Sequence, residues 1–414
     1  MTNRISLFVA IMLILTGSTL WARQFAVTDA VADILAFNKP QIEANYPLFK
    51  HKMSRMAESP FAFLRGTAHL MNSDLNKTAA LEFMRKSPIG LVAGDLHMHN
   101  FSVHREPGHQ PAYVPDDHDE AFSAAPLSFD VFRLCVSLAV GLGDRLSRQE
   151  LTTVFKDLFK GYKERAGDAG VSVWPDAPMS ELLAKFVKKY GGRDQKRLIA
   201  KECGKKTDSF DYNRHEPVAA AEKKVVATAM NEYLESLARH KRIPLENVQI
   251  LDISQRNNKG LSSLGLKRYF LLLRGDSDSW KTNHVIEVKL MRKTSVNRTT
   301  YTRQQQDTIE SMVRAYLGRD PYLGTVKIAG RIFLVRQMYP YGKTLENIDI
   351  KNLAQARELA HLLGWMTADY HAHSKQGQRM KTWLEKAEEP LMLWIFSYTD
   401  QLLADYKVFT QTEF

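Results

Sequence analysis

Residues 94–101 read Gly-Asp-Leu-His-Met-His-Asn-Phe, and an apolar run at 89–93 leads into them. A short apolar run closed by a Gly-Asp step reads as a buried strand ending in a loop. Asp95 is followed five positions later by Asn100, the D-x-x-x-x-N spacing of phosphoryl-transfer loops. The chemistry asks for both types. One carboxylate accepts the proton of an attacking hydroxyl, and a neutral amide oxygen holds Mg²⁺ against phosphates without excess negative charge. Asp95 is therefore the candidate base and Asn100 a candidate metal ligand.

A second acidic cluster, Asp116-Asp117-His118-Asp119-Glu120, follows. Residues 101–104 and 112–114 read as two short strands, and 106–109, Glu-Pro-Gly-His, as the turn between them. Such a hairpin returns Asp117 beside Asn100, where a kinase places a metal-binding aspartate. Asp117 is the second expected Mg²⁺ ligand, and Asp119 a helper. Asp130, opening an apolar helix at 131–142, is expected to buttress the loop.

Four segments carry a resemblance: SPFAFLRG at 59–66, GDLHMHNF at 94–101, DDHDEAFSAAP at 116–126 and FDVFRL at 129–134. They resemble the bacterial family catalogued as domain of unknown function 2252, over most of the chain after about residue 45. That family is similar to aminoglycoside phosphotransferases and other kinase-like folds, which carry GDLHxxN followed by D-x-x-x-A-x-x-x-x-P. By spacing alone, Arg65 reads as a surface or structural ion pair; the resemblance adds a phosphate-facing reading.

The elements that must position these groups lie further along. Residues 248–253, 267–274 and 284–290 read as strands, with a small-residue loop at 259–265 and a polar turn at 276–283. Strand, glycine loop, strand, turn, strand with Lys289 is the front half of a kinase small lobe. Gly260, Ser262, Ser263 and Gly265 would lay backbone N–H groups over phosphates, and Lys289 would reach the α/β-phosphates of ATP. A plain hairpin turn is the competing reading of the loop. A helix at 299–317 would supply Glu310 to Lys289. Strand 331–338, helix 353–373 and a helical tail at 383–406 complete this half. The glycine loop and lysine follow the catalytic loop here, so the resemblance implies an α+β, two-lobed, protein-kinase-like fold with permuted lobe order. The catalytic helical lobe (59–143) comes first and the small β-sheet lobe (248–338) later. Termini lying close together at a surface make such permutation tolerable.

Toward the front, 25–52 reads as one or two helices interrupted at Lys39-Pro40. Residues 151–242 read as a helical insertion, with 171–217 irregular, basic and solvated.

The chain has 414 residues, 44% hydrophobic and 25% charged, with formal net charge +11 and pI 9.4. That composition is globular and excludes a disordered chain. The positive charge favours anionic partners: a nucleotide, and an anionic or hydroxyl-bearing substrate. No basic-aromatic stripe runs through it, so nucleic acid is not expected. Arg4, the apolar run 5–15 and the small-residue region 16–22 read as a signal peptide over 1–22, with a mature chain from Arg23. An uncleaved anchor at 5–22, bringing the protein near a membrane, is the competing reading. Either way the protein is expected outside the cytoplasm. Cys135, in an apolar helical run, reads as a core thiol, with pairing to Cys203 as the alternative.

Two other functions compete. Asp95, His97, His99, Asp117, His118 and Asp119 are a dense metal-capable set that would suit a metal-dependent phosphoesterase. The separate N-terminal D-x-H and the G-N-H-[DE] of the calcineurin-like signature are missing, though, and Lys289 would go unexplained. A non-catalytic nucleotide-binding scaffold is motivated by compartment, since free ATP is not expected outside the cytoplasm.

Overall fold

The computed structural model describes residues 23–105, 110–118, 120–167, 179–204, 208–256, 261, 264–277, 279–291, 294–296, 308 and 320–414. The chain is α+β, with a large helical body and small sheets. The front of the body is α1 (Ala30–Ala44), α2 (Tyr46–Met56), α3 (Pro60–Gly66), α4 (Ala68–Lys77) and the single turn α5 (Glu82–Arg85). Caps written in the sequence start them. Asp29 accepts from Ala32 N–H at 3.0 Å, Asn45 from Leu48 N–H at 3.1 Å and Ser59 from Ala62 N–H at 3.1 Å. The interruption expected at Lys39-Pro40 lies at Asn45 instead, because Pro40 is carried inside α1. One missing N–H is tolerated there, whereas Asn45 both leaves helical geometry and caps the next helix.

Next come β1 (Ile89–Val92), β2 (Phe101–His104), β3 (Ala112–Pro115), β4 (Phe122–Pro126), α6 (Ser128–Leu142) and α7 (Arg148–Gly167). β2 and β3 pair antiparallel with Phe101 opposite Pro115, and β1 pairs with β4, a strand not foreseen from the sequence. The chain continues through α8 (Glu181–Gly191), α9 (Gln195–Cys203), β5 (Glu216–Pro217), α10 (Ala220–Arg239), β6 (Ile250–Gln255), β7 (Arg268–Leu273), β8 (His284–Leu290), β9 (Gly324–Ile328) and β10 (Arg331–Met338). It ends with α11 (Leu353–Ala372) and α12 (Gly377–Thr410). Helices α7 and α11 lie side by side, with Gly161 against the His361 carbonyl and Gly364 against the Leu158 carbonyl; a Cβ at either glycine would clash with backbone.

Strands β5-β6-β7-β8-β10-β9 form one antiparallel sheet. Period-two alternation gives its faces different fates. Leu271, Ile286, Val288, Phe333 and Val335 form one apolar face under α10. On the other face Phe270, Leu272 and Val285 pack against α9 through Leu198, Ile199 and Cys203. Residues 181–203 are thus two helices with buried apolar faces, correcting the solvated reading of that stretch; Leu183 and Val187 of α8 join the main core. Cys135 and Cys203 are both free and buried, in separate clusters. No helix of the described residues is long and apolar enough to cross a membrane.

Candidate functional site

The loop after β1 turns at Gly94, whose φ is +76° and where a Cβ would clash with the Glu120 carbonyl. Only glycine fits both conditions. The turn is then pinned from three sides. Asp130, in the first turn of α6, accepts from Ala93 N–H at 2.6 Å and Gly94 N–H at 2.9 Å. His371 of α11 lies 3.2 Å from Asp130 and is itself 2.8 Å from the Tyr162 hydroxyl. Asn72 of α4 donates to the Gly94 carbonyl at 3.0 Å and to Ser295 Oγ at 2.8 Å. Glu120 accepts from Ser295 N–H at 2.6 Å. The segment just beyond β8 is thereby tied to the turn that presents Asp95.

Asp95 is buried, and Arg133 of α6 binds its Oδ1 through Nε at 2.7 Å and also through Nη2. The same Nη2 donates to the Leu64 carbonyl at 2.9 Å. Burial pushes the Asp95 carboxyl up to about 7, against the pull of Arg133 and with the help of Glu120 and Asp117. Asn100 donates from its side-chain amide to the Asp95 carbonyl at 2.6 Å, and its backbone carbonyl accepts from Asp116 N–H at 2.9 Å. The first bond fixes the amide nitrogen inward, so the Oδ1 that could meet a cation is set by default.

Across from this loop lies the end of the large sheet not covered by α9. There the face that carries Phe270 and Val285 turns polar, with Arg268, Glu287, Lys289 and Arg336. Arg336 donates to Glu287 at 2.6 Å and to the Asp116 carbonyl at 2.9 Å; Arg268 lies 3.1 Å from Glu287. Asp117 is held ionised, down to about 2: burial opposes its charge, but Lys289 and Arg336 more than offset it. Asp116 also sits at about 2, as His104, 3.2 Å away, and Arg336 offset its burial. Burial holds His97 well below its ordinary value, and takes His118 down to about 4. His97 Nδ1 accepts from His99 N–H at 3.2 Å, so its proton is on Nε2.

Asp95, Asn100, Asp117 and Lys289 therefore converge, although Lys289 is distant in sequence. Arg65 acts on the same loop: burial aside, it is the strongest influence lowering the His97 imidazole, and it acts on His99 as well. Its Nε is buried with no hydrogen-bond partner among the described residues. Leu261, from the small-residue loop, lines the same cleft as Arg65. Gly265 has φ +91° and packs on α1, where Gln41 donates to the Leu264 carbonyl. Asp119, Gly260, Ser262, Ser263 and Glu310 lie outside the described residues. Among the described residues no three His, Cys, Asp or Glu side chains form a metal cage. A pair such as Asn100 with Asp117 suits Mg²⁺, which takes one or two protein ligands and completes its shell with water and phosphate.

Several residues here were not foreseen from sequence: Asn72, Arg133, Arg268, Glu287 and Arg336. One signal for Arg133 was available. It is a charge inside the apolar run of α6, and a buried charge requires a partner. The others are recruited from separate elements and carry no local signature.

No curated protein and no solved structure matches the chain. A family model described as an uncharacterised protein conserved in bacteria (DUF2252) matches residues 46–412, nearly the whole chain, including every converging group. The chain therefore belongs to the DUF2252 family.

Proposed function

We propose that the protein is a kinase-like phosphotransferase that moves the γ-phosphoryl group of ATP to a hydroxyl. Asp95 accepts the hydroxyl proton while the acceptor oxygen bonds to phosphorus. The bond from phosphorus to the bridging oxygen breaks and ADP leaves. Asn100 and Asp117, with Asp119 as a helper, would hold Mg²⁺, which would supply screening of the phosphate charge. Lys289 binds the α/β-phosphates under the 259–265 loop. The lobe order is that of a permuted kinase.

The observation that carries this reading is the meeting of Lys289 with Asp117. A lysine near the end of β8, its charge acting on an ionised aspartate beside a D-x-x-x-x-N loop, is what a Mg²⁺–nucleotide site requires and what a phosphoesterase does not use. The test is nucleotide binding by thermal shift with ATP or ADP, with and without Mg²⁺. Ligand at a hundredfold excess over Kd stabilises the fold by about 2.7 kcal/mol. No shift with any nucleotide would sink the reading, and binding without turnover would make the chain a scaffold.

We place the mature protein outside the cytoplasm, beginning near Arg23. N-terminal sequencing of native protein checks this; a chain retaining Met1 refutes cleavage.

A further inference from the structure

A cleft of about 450 Å³ opens between α3 and the 346–348 segment, lined by Arg55, Ser59, Arg65, His99, Leu261 and Asn347 among others. In its wall the buried Arg65 Nε has no hydrogen-bond partner among the described residues, while His99 and Asn347 lie within reach of each other and His99 is 3.6 Å from Glu346. Buried polar atoms are almost always satisfied, so an open guanidinium nitrogen on a cleft points to a polar ligand. Arg65 forms no ion pair with the described residues, whereas Arg55 pairs with Glu58 at 2.8 Å.

The walls are rigid. Phe61 packs on the rings of His97 and His99, with centroids 6.0 and 4.5 Å away. Arg145 fixes the Asn347 segment by donating to the carbonyls of Asn347 at 2.9 Å and Ile350 at 2.6 Å. The Tyr113 hydroxyl accepts from Leu345 N–H at 3.0 Å. The cleft also abuts the reacting groups. Arg65 follows Leu64, whose carbonyl shares Arg133 with Asp95.

We propose that this cleft binds the anionic group of the phosphate acceptor, which makes the acceptor a small hydroxyl-bearing molecule that also carries a carboxylate or a phosphate. The assignment rests on the phosphotransferase reading above. Lys289 takes the nucleotide's charge, and Arg65, which forms no ion pair with the described residues, takes the acceptor's. The acceptor hydroxyl then lies toward Asp95, to which it loses its proton as its oxygen takes the phosphoryl group from ATP.

The probes are glycerol 3-phosphate, glycerate and glycerol, a series alike in hydroxyls and different in charge. Binding is read by thermal shift without nucleotide, and turnover as ADP released from Mg²⁺–ATP. We expect the two anionic probes to bind and to accelerate ADP release, and glycerol to do neither. Arg65→Gln should weaken the anionic probes by about 10- to 100-fold, the range of a charged hydrogen bond, and Arg65→Lys by less. Affinity for Mg²⁺–ATP should stay unchanged in both, with wild-type melting as the check on folding. An equal response to all three probes, or none to any, overturns the proposal. So does an Arg65→Gln variant that loses nucleotide affinity as Lys289→Ala does, which would leave the phosphotransferase reading intact. Anion binding that disappears with Arg65→Gln in a protein that binds no nucleotide removes the acceptor role together with the phosphotransferase reading.

Discussion

Two buried ionic clusters in this molecule are built from the same residue types and differ in how completely they are satisfied. At the start of the described chain, Arg23 reaches Asp74 at 2.9 and 2.7 Å and Asp405 at 2.9 Å, while Nη1 also meets the Val27 carbonyl. Asp74 further accepts from Val27 N–H at 2.9 Å and from the Tyr398 hydroxyl at 3.1 Å. Every oxygen of Asp74 has two partners, and the cluster staples the front segment to α4 and α12. At the Asp95 loop Arg133 takes one oxygen of Asp95, and the other bonds fall on the backbone. Asp130, Asn72 and Asn100 fix the main chain, whereas Arg65 keeps a polar atom without a partner among the described residues. A closed network serves stability; one that fixes its backbone and leaves functional atoms open is prepared for a ligand.

That contrast can be broken at either end. The largest effect is expected from Asp95→Asn, which keeps an acceptor for Arg133 but removes the proton acceptor. Phosphate transfer should fall by about 10²- to 10⁴-fold with Mg²⁺–nucleotide binding largely retained; a mutant with wild-type turnover removes Asp95 from the mechanism. Arg23→Ala should do the reverse. It leaves Asp74 and Asp405 buried without their cation and should cost about 3–5 kcal/mol in denaturant unfolding, with nucleotide affinity unchanged in the folded protein. A loss below about 1 kcal/mol would show that the clamp is not a staple.

Lys289 and Asp117 separate within the site. Lys289→Ala should weaken nucleotide with or without Mg²⁺, by about 10- to 100-fold, because its partner is phosphate. Asp117→Asn should weaken it only when Mg²⁺ is present. Titrations giving the two variants identical Mg²⁺ dependence would contradict these roles. Asn72→Ala leaves the Gly94 carbonyl and Ser295 without their donor and should cost about 1–3 kcal/mol. Turnover should fall more than binding, since the loop bearing Asp95 loosens.

The smallest effect is in pH. Burial holds Asp95 above its ordinary value, up to about 7. The ionised form is the base, so turnover should rise with pH and level off above about 7. Stability runs the opposite way. A raised folded-state pKa means that the protonated carboxyl favours the fold; this contribution is complete below the ordinary value of 3.8 and is lost as pH rises through about 7. Arg133→Met, which removes the opposing cation, should move the rate profile to higher pH. A profile unchanged in this variant would show that Asp95 does not set it.

The local elements were legible because each is decided by its own residues. Strand His284–Leu290 and strand Arg331–Met338 have the bounds their alternation indicates, and residues 101–104 pair antiparallel with 112–115 as expected. The interruption near residue 40 was misplaced because proline is a strong signal and a capping asparagine a quieter one, yet Asn45 breaks the helix and Pro40 does not. Strand β4 was missed because 122–126, Phe-Ser-Ala-Ala-Pro, has too few apolar side chains to announce a strand; its partner β1 makes it one.

The sequence by itself determined the Asp95–Asn100 spacing, the acidic cluster after the hairpin, and the capping residues that start α1, α2 and α3. Each of these is local, with donor and acceptor or base and ligand a few residues apart. Only the tertiary structure decided that the charge of Lys289 acts on Asp117, that Arg133 rather than solvent holds Asp95, and that Ser295 is tied to Asn72 and Glu120. Those meetings join residues far apart along the chain. They depend on which face of the sheet is left uncovered by α9, a matter of how whole elements pack.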